Sequence, residues 1–121
     1  MTIRTLIDKV NDEKPSSFGT ARLLAFINEI EADVAEQLHS ESVPVYTEAD
    51  MDTELIAPAP YDRLYVSYVK SQIDYANEEL ESYANNQVQH VQDFHDFIDW
   101  VVRTDRAAND DQWISRFRNI F

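Results

Sequence analysis

The chain has 121 residues, with 23 Asp and Glu against 10 Lys and Arg, a formal charge of −13, one glycine and no cysteine. A length of about 100 to 200 residues suits one domain, and the missing thiols exclude disulfides and thiolate metal sites. So acidic a chain would repel a phosphate backbone, whose affinity for proteins comes from Lys and Arg displacing counterions, so direct DNA binding is not expected.

Ile3, Leu6, Ile7 and Val10 share one face of a helix predicted over residues 3–13, which stops before Pro15. Residues 15–19 read as a turn, and Thr20 is placed to cap a helix carrying Leu23, Leu24, Phe26, Ile27, Ile30, Val34 and Leu38. From His39 to Ala59 the periodicity lapses. Residues 43–46 read as a brief extended piece and 47–54 as an acidic, polar stretch. A loop this long inside a compact domain is usually functional or flexible.

A tyrosine-rich helix is predicted to begin near Tyr61, with Pro58 keeping the preceding backbone extended and Pro60 in the first turn. Tyr61, Leu64, Tyr65, Tyr68, Val69, Gln72, Ile73, Ala76, Leu80, Tyr83 and Ala84 follow a helical period. The stripe stays in phase through Gln87, Val91, Phe94, Phe97, Ile98, Val101 and Val102, which leaves one helix or two open. Asn85-Asn86 favours a break, with one helix to about Ala84 and another from Gln87 to Arg103. Residues 104–111 read as a polar linker before an apolar tail, Trp113, Ile114, Phe117, Ile120 and Phe121, near Arg103, Arg106, Arg116 and Arg118. The expected class is all-α: a small bundle of four to five helices with a long central loop, a helical domain over residues 1–103, and a linker and docking tail over 104–121.

Chemistry-bearing patterns are sparse. Glu36-Gln37-Leu38-His39 matches Glu-x-x-His once, whereas a di-iron bundle uses it twice. His90 and His95 are five apart, and Asp93, Asp96 and Asp99 read as solvent-facing charges. No G-x-S-x-G, P-loop or H-E-x-x-H pattern occurs, so no catalytic residue, metal or cofactor is expected.

Tyr61, Tyr65 and Tyr68 suit either the edge of the chain's own core or an interface rim, because a tyrosine buries its ring and keeps its hydroxyl wet. The tail residues Trp113, Ile114, Phe117, Ile120 and Phe121, with Arg116 and Arg118, either fold back or dock on a neighbour. Their positive charge would suit an acidic face on the next copy. No Lys or Arg occurs from Leu23 to Asp62 or from Ser71 to Val102. These stretches are solvated helix faces, a surface for a basic partner, or, with Glu48, Asp50, Asp52 and Glu54, a wall that DNA slides past. No run approaches the ~18 apolar residues of a membrane span, and the first residues lack a signal-peptide core, so a cytoplasmic origin is expected.

The early helix with Leu6, Ile7 and Val10, the run LLAFINEIEADVAEQL, the block DTELIAPAPYDRLYVSYVKSQIDYANEELESYANN and the close DFHDFIDWVVR together cover most of the chain to Arg103. In their order and content they resemble the head-tail connector, or adaptor, proteins of tailed phages and prophages of Gram-positive bacteria. The tail after Arg103 has no counterpart in that likeness. The resemblance implies a non-catalytic virion neck protein, made in the bacterial host cytoplasm. It implies self-association into a ring of about 12 copies between a portal protein and a tail or stopper protein, through which DNA passes without specific binding. A different reading of the same acid is a DNA-mimic inhibitor of a host DNA-binding protein, a decoy that would be a stable monomer or dimer with carboxylates facing outward at phosphate-like spacing.

Overall fold

The computed structural model describes residues 1–108, with side chains through residue 104, and contains four α-helices and a short 3-10 turn in that span. There is no strand among the described residues. The expected tail residues Trp113, Ile114, Arg116, Phe117, Arg118, Ile120 and Phe121 lie outside it.

Helix α1, Ile3–Glu13, has the expected bounds. Thr2 caps it, its hydroxyl accepting from the Thr5 N–H at 3.1 Å, and Ile3, Leu6, Ile7 and Val10 are buried. Two further N–H groups of its first turn, on Ile3 and Arg4, donate to the carbonyls of Thr53 and Met51 at 3.2 and 2.8 Å. The start of the chain and the end of the central loop therefore satisfy each other's backbone.

Helix α2 is Thr20–Gln37. Its cap is Gly19, not the expected Thr20: the Gly19 backbone is extended and its carbonyl accepts from Arg22 and Leu23. The 3-10 turn, Glu48–Asp50, is closed by a capping box between Thr47 and Asp50. Helix α3, Arg63–Ala76, starts two residues later than expected from Tyr61, because the Pro58 carbonyl takes the N–H groups of Tyr61 and Asp62 in a preceding turn.

Helix α4, Leu80–Ala108, runs straight through Asn85-Asn86, so the break expected there is misplaced. The chain reverses at 77–79 instead. Glu79 N–H donates to the Asp74 carbonyl and Glu78 N–H to that of Tyr75, the paired bonds of a Schellman ending, with Glu78 at φ 60°. α2 ends the same way: Ser40 N–H meets the Ala35 carbonyl and His39 N–H that of Glu36, with His39 at φ 54°. Glycine normally marks this left-handed position, and here Glu and His hold it, so the ends carry no sequence flag. Asn86 is occupied elsewhere, donating to Asp74 at 2.6 Å. The expected linker also shortens, because residues 104–108 are helical.

A left-handed residue with a Cβ is strained by about 1–2 kcal/mol, part of which glycine returns through its greater freedom when unfolded. Glu78→Gly is therefore expected to stabilise the fold by about 0.5–1 kcal/mol, read as a higher urea midpoint at unchanged slope. A lower midpoint would count against strain at this turn.

α3 is the central helix and packs against α1, α2 and α4. Leu64, Tyr65 and Ile73 are fully enclosed, together with Leu6, Val10, Ile27, Ile30, Val34 and Phe97. Small polar Ser67 and Ser71 are also buried, and Ser67 faces His90 of α4. His90 Nδ1 lies 3.1 Å from the Leu64 carbonyl, so its proton sits there. Burial pushes the His90 pKa down, against the Leu64 carbonyl and nearby Asp93 and Asp33, which act the other way.

Candidate functional site

A carboxylate that periodicity did not single out organises the central loop. Glu31, on α2, is fully buried. Its Oε2 accepts from the Tyr46 hydroxyl at 2.7 Å and the Ile56 N–H at 3.1 Å, and its Oε1 from the Tyr65 hydroxyl at 2.6 Å. The Tyr65 oxygen in turn accepts from the Ala57 N–H at 2.9 Å. Burial, then the neighbouring Glu31, push the phenols of Tyr46 and Tyr65 up, so both stay protonated and remain donors. One turn earlier Asn28 exchanges two bonds with the Tyr46 backbone, at 2.8 and 3.1 Å. The long central loop, expected to be functional or flexible, is tied to its own domain at Tyr46, Leu55 and Ala57, all buried, while Val43 and Val45 stay exposed.

A second buried carboxylate, Asp74 of α3, joins three helices. It pairs with Lys14 at the end of α1 and accepts from Ser82 at 2.8 Å and Asn86 at 2.6 Å on α4. Burial acts to raise its pKa, but the Lys14, Asn86 and Ser82 hydrogen bonds outweigh it and hold the carboxyl below its ordinary range.

The three tyrosines expected at an interface separate. Tyr65 is completely buried and is withdrawn from that role, since its ring fills the core and its hydroxyl serves Glu31. Tyr68 is half-buried and donates to Glu29 at 2.9 Å. Tyr61 borders a groove: it stacks on Trp100, centroids 5.4 Å apart, at the side of a cleft of about 600 Å³ between the start of α3 and the later turns of α4. Arg63, Asp96, Asp99, Val102 and Arg103 line the same groove. Arg63 bridges to Asp96 at 2.7 Å and to Asp93 at 3.4 Å, and Arg103 donates to the Tyr61 hydroxyl at 3.3 Å. Asp93 is buried, contrary to the solvent-facing role expected for it, because Arg63 and Gln89 meet it at the α3–α4 seam. Asp96 is half-buried in the same seam, and Asp99 remains exposed.

One tyrosine, two guanidiniums and two carboxylates lie at close range in this groove. The groove offers π-stacking and charged hydrogen bonds with no nucleophile beside a base. Among the acidic candidates, Glu48 and Asp52 are exposed, Asp50 is half-buried and accepts from Thr47, Asp52 pairs with Arg4 at 3.0 Å, and Glu54 lies 2.9 Å from the Met1 amino group. Two of the four are therefore charge-compensated. Glu29, Asp33 and Glu36, one turn apart on the outer side of α2, have no Lys or Arg partner among the described residues. The Asp33 carboxyl is pushed up by burial and then by Glu36, with Glu29 adding to it and His90 opposing.

Comparison of the chain with protein-family models, with curated proteins and with solved structures returns no match. Among the described residues no helix is long and apolar enough to cross a membrane, and no cluster of His, Asp and Glu is arranged to hold a metal.

Proposed function

We propose that the chain is a non-catalytic head-tail connector of a tailed phage or prophage, a neck protein that assembles in a ring between portal and tail or stopper and lets DNA pass. The reading rests on the likeness of residues 52–86 and of the flanking helices to that class of protein. Its main physical support is the uncompensated acid of α2, Glu29, Asp33 and Glu36, carried by a stretch without a single Lys or Arg from Leu23 to Asp62. A wall of this sign repels phosphate and gives DNA no counterions to release, so DNA slides past it. Glu48 is exposed and adds to the acid, whereas Asp52 and Glu54 are engaged within the chain. The groove beside Tyr61 is the contact we assign to a protein partner in the neck.

Quantitative mass spectrometry of density-purified particles from the source organism is the test. A ratio near one copy per portal subunit, about 12 copies of each, is the expected result. Absence from particles would overturn the connector reading and favour an acidic DNA mimic.

A further inference from the structure

α4 carries a second apolar face, turned away from the bundle. Leu80, Ala84, Val88, Val91, Ile98 and Val102 fall within an arc of about 80° at 3.6 residues per turn. This arc lies roughly opposite the side on which His90, Asp93 and Phe97 are buried against α3. Leu80, Val88 and Val91 are 69, 71 and 60% exposed, well above what an isolated surface aliphatic needs for explanation, and all lie on one helix. Exposed His95 falls inside the same arc between Val91 and Ile98 and completes the three- and four-residue steps, so the face has the spacing of a helix-pair seam with one polar position in it.

We propose that this face is where a second copy of the chain docks, with the two α4 helices antiparallel and Val91 on the twofold axis. That register brings Leu80 of each copy level with Val102 of the other, and Ala84 with Ile98, so apolar side chains meet at both ends and at Val91, while His95 of each copy comes level with Gln87 of the other. Charge selects the direction. Arg103 is the sole Lys or Arg among the described side chains of α4, and the antiparallel register sets it beside Glu78, Glu79 and Glu81 of the second copy. A parallel pair would instead place Glu81 against Glu81 and Asp99 against Asp99, a cost at both ends. Antiparallel alignment also sets the helix dipoles head to tail. The seam spans about 33 Å at 1.5 Å per residue, a contact of modest size, so the pairing depends on concentration. The inference concerns the free chain's own surface and stands apart from the connector reading.

Since the chain has no cysteine, Val91→Cys places a single thiol on the proposed axis. In the full chain at about 100 µM under oxidised glutathione, most of this variant should become a disulfide-linked dimer. Leu80→Cys alone should stay uncrosslinked, and the double variant Leu80→Cys/Val102→Cys should crosslink between copies. Val88→Glu should weaken association at least about tenfold by sedimentation while leaving the melting temperature of the dilute, monomeric chain unchanged, because Val88 touches solvent and not the core. Ready crosslinking of Leu80→Cys alone would mean parallel pairing and overturn the proposal. So would a monomeric full chain with a freely reactive Val91→Cys thiol. A monomer in which that thiol is shielded would assign the face to residues 109–121 and overturn it equally.

Discussion

Replacing Glu31 with Leu is expected to cost about 3 kcal/mol of folding stability and to free the central loop from the helices. The Tyr46 hydroxyl, the Tyr65 hydroxyl and the Ile56 N–H all end on this one carboxylate. An unsatisfied buried donor costs about 1–3 kcal/mol, and three would be left. The sum is reduced because a buried carboxylate without a cationic partner is itself costly, a burden that leucine removes. Glu31→Gln keeps the shape and one acceptor oxygen, so its cost should be about 1–2 kcal/mol. Urea unfolding measures the loss. Amide exchange over residues 46–57 locates it, with protection at Ile56 and Ala57 falling first. A leucine variant as stable as the wild type, with an undisturbed loop, would mean that the network neither orders the loop nor stabilises the fold.

The second large effect concerns Asp74. Asp74→Asn keeps the volume and leaves Ser82 and Asn86 able to hydrogen-bond, but it removes the charge that meets Lys14. Breaking a buried ion pair from one side costs about 3–5 kcal/mol; Lys14 keeps Glu79 at 3.0 Å and some solvent, so about 2 kcal/mol is expected. Because the folded carboxyl is held below its unfolded value of about 4, its stabilisation is fully present above that pH and is lost as pH falls through the lowered folded value. The wild type should therefore lose stability relative to Asp74→Asn below about pH 4, and the two midpoints should converge there. His90, also lowered, adds an earlier loss below its ordinary 6.5 in both proteins and cancels in the difference. A gap between the variants that is constant from pH 7 to about pH 2 would show that the charge on Asp74 is not what stabilises.

Both carboxylates left a trace in the sequence. Glu31 sits four after Ile27 and three before Val34, on the buried seam of its own helix. Asp74 continues the Ser67–Ser71 steps on the side of α3 turned to α4. Periodicity read by hydrophobicity alone passes over such positions, since a buried acid interrupts the stripe that defines the face. Nothing local marks Asn28, whose partner is the backbone of Tyr46, 18 residues away.

The sequence by itself determined the all-α class, the bounds of α1, most of the buried stripes of α2 and α3, of which Leu38 and Ala76 prove exposed, and the charge asymmetry, because apolar period and composition are local properties. It also carried the likeness from which the connector reading comes. Tertiary structure alone decided where the α3 and α4 helices part, because Glu78 accepts a left-handed backbone that no glycine announces and Asn86 spends its amide on Asp74. It likewise decided that Tyr65 belongs to the core, that Asp93 is buried, and that the loop is tied down by Glu31. These outcomes depend on which groups meet across many residues of chain, where unmet hydrogen bonds and desolvated charge outweigh any local preference.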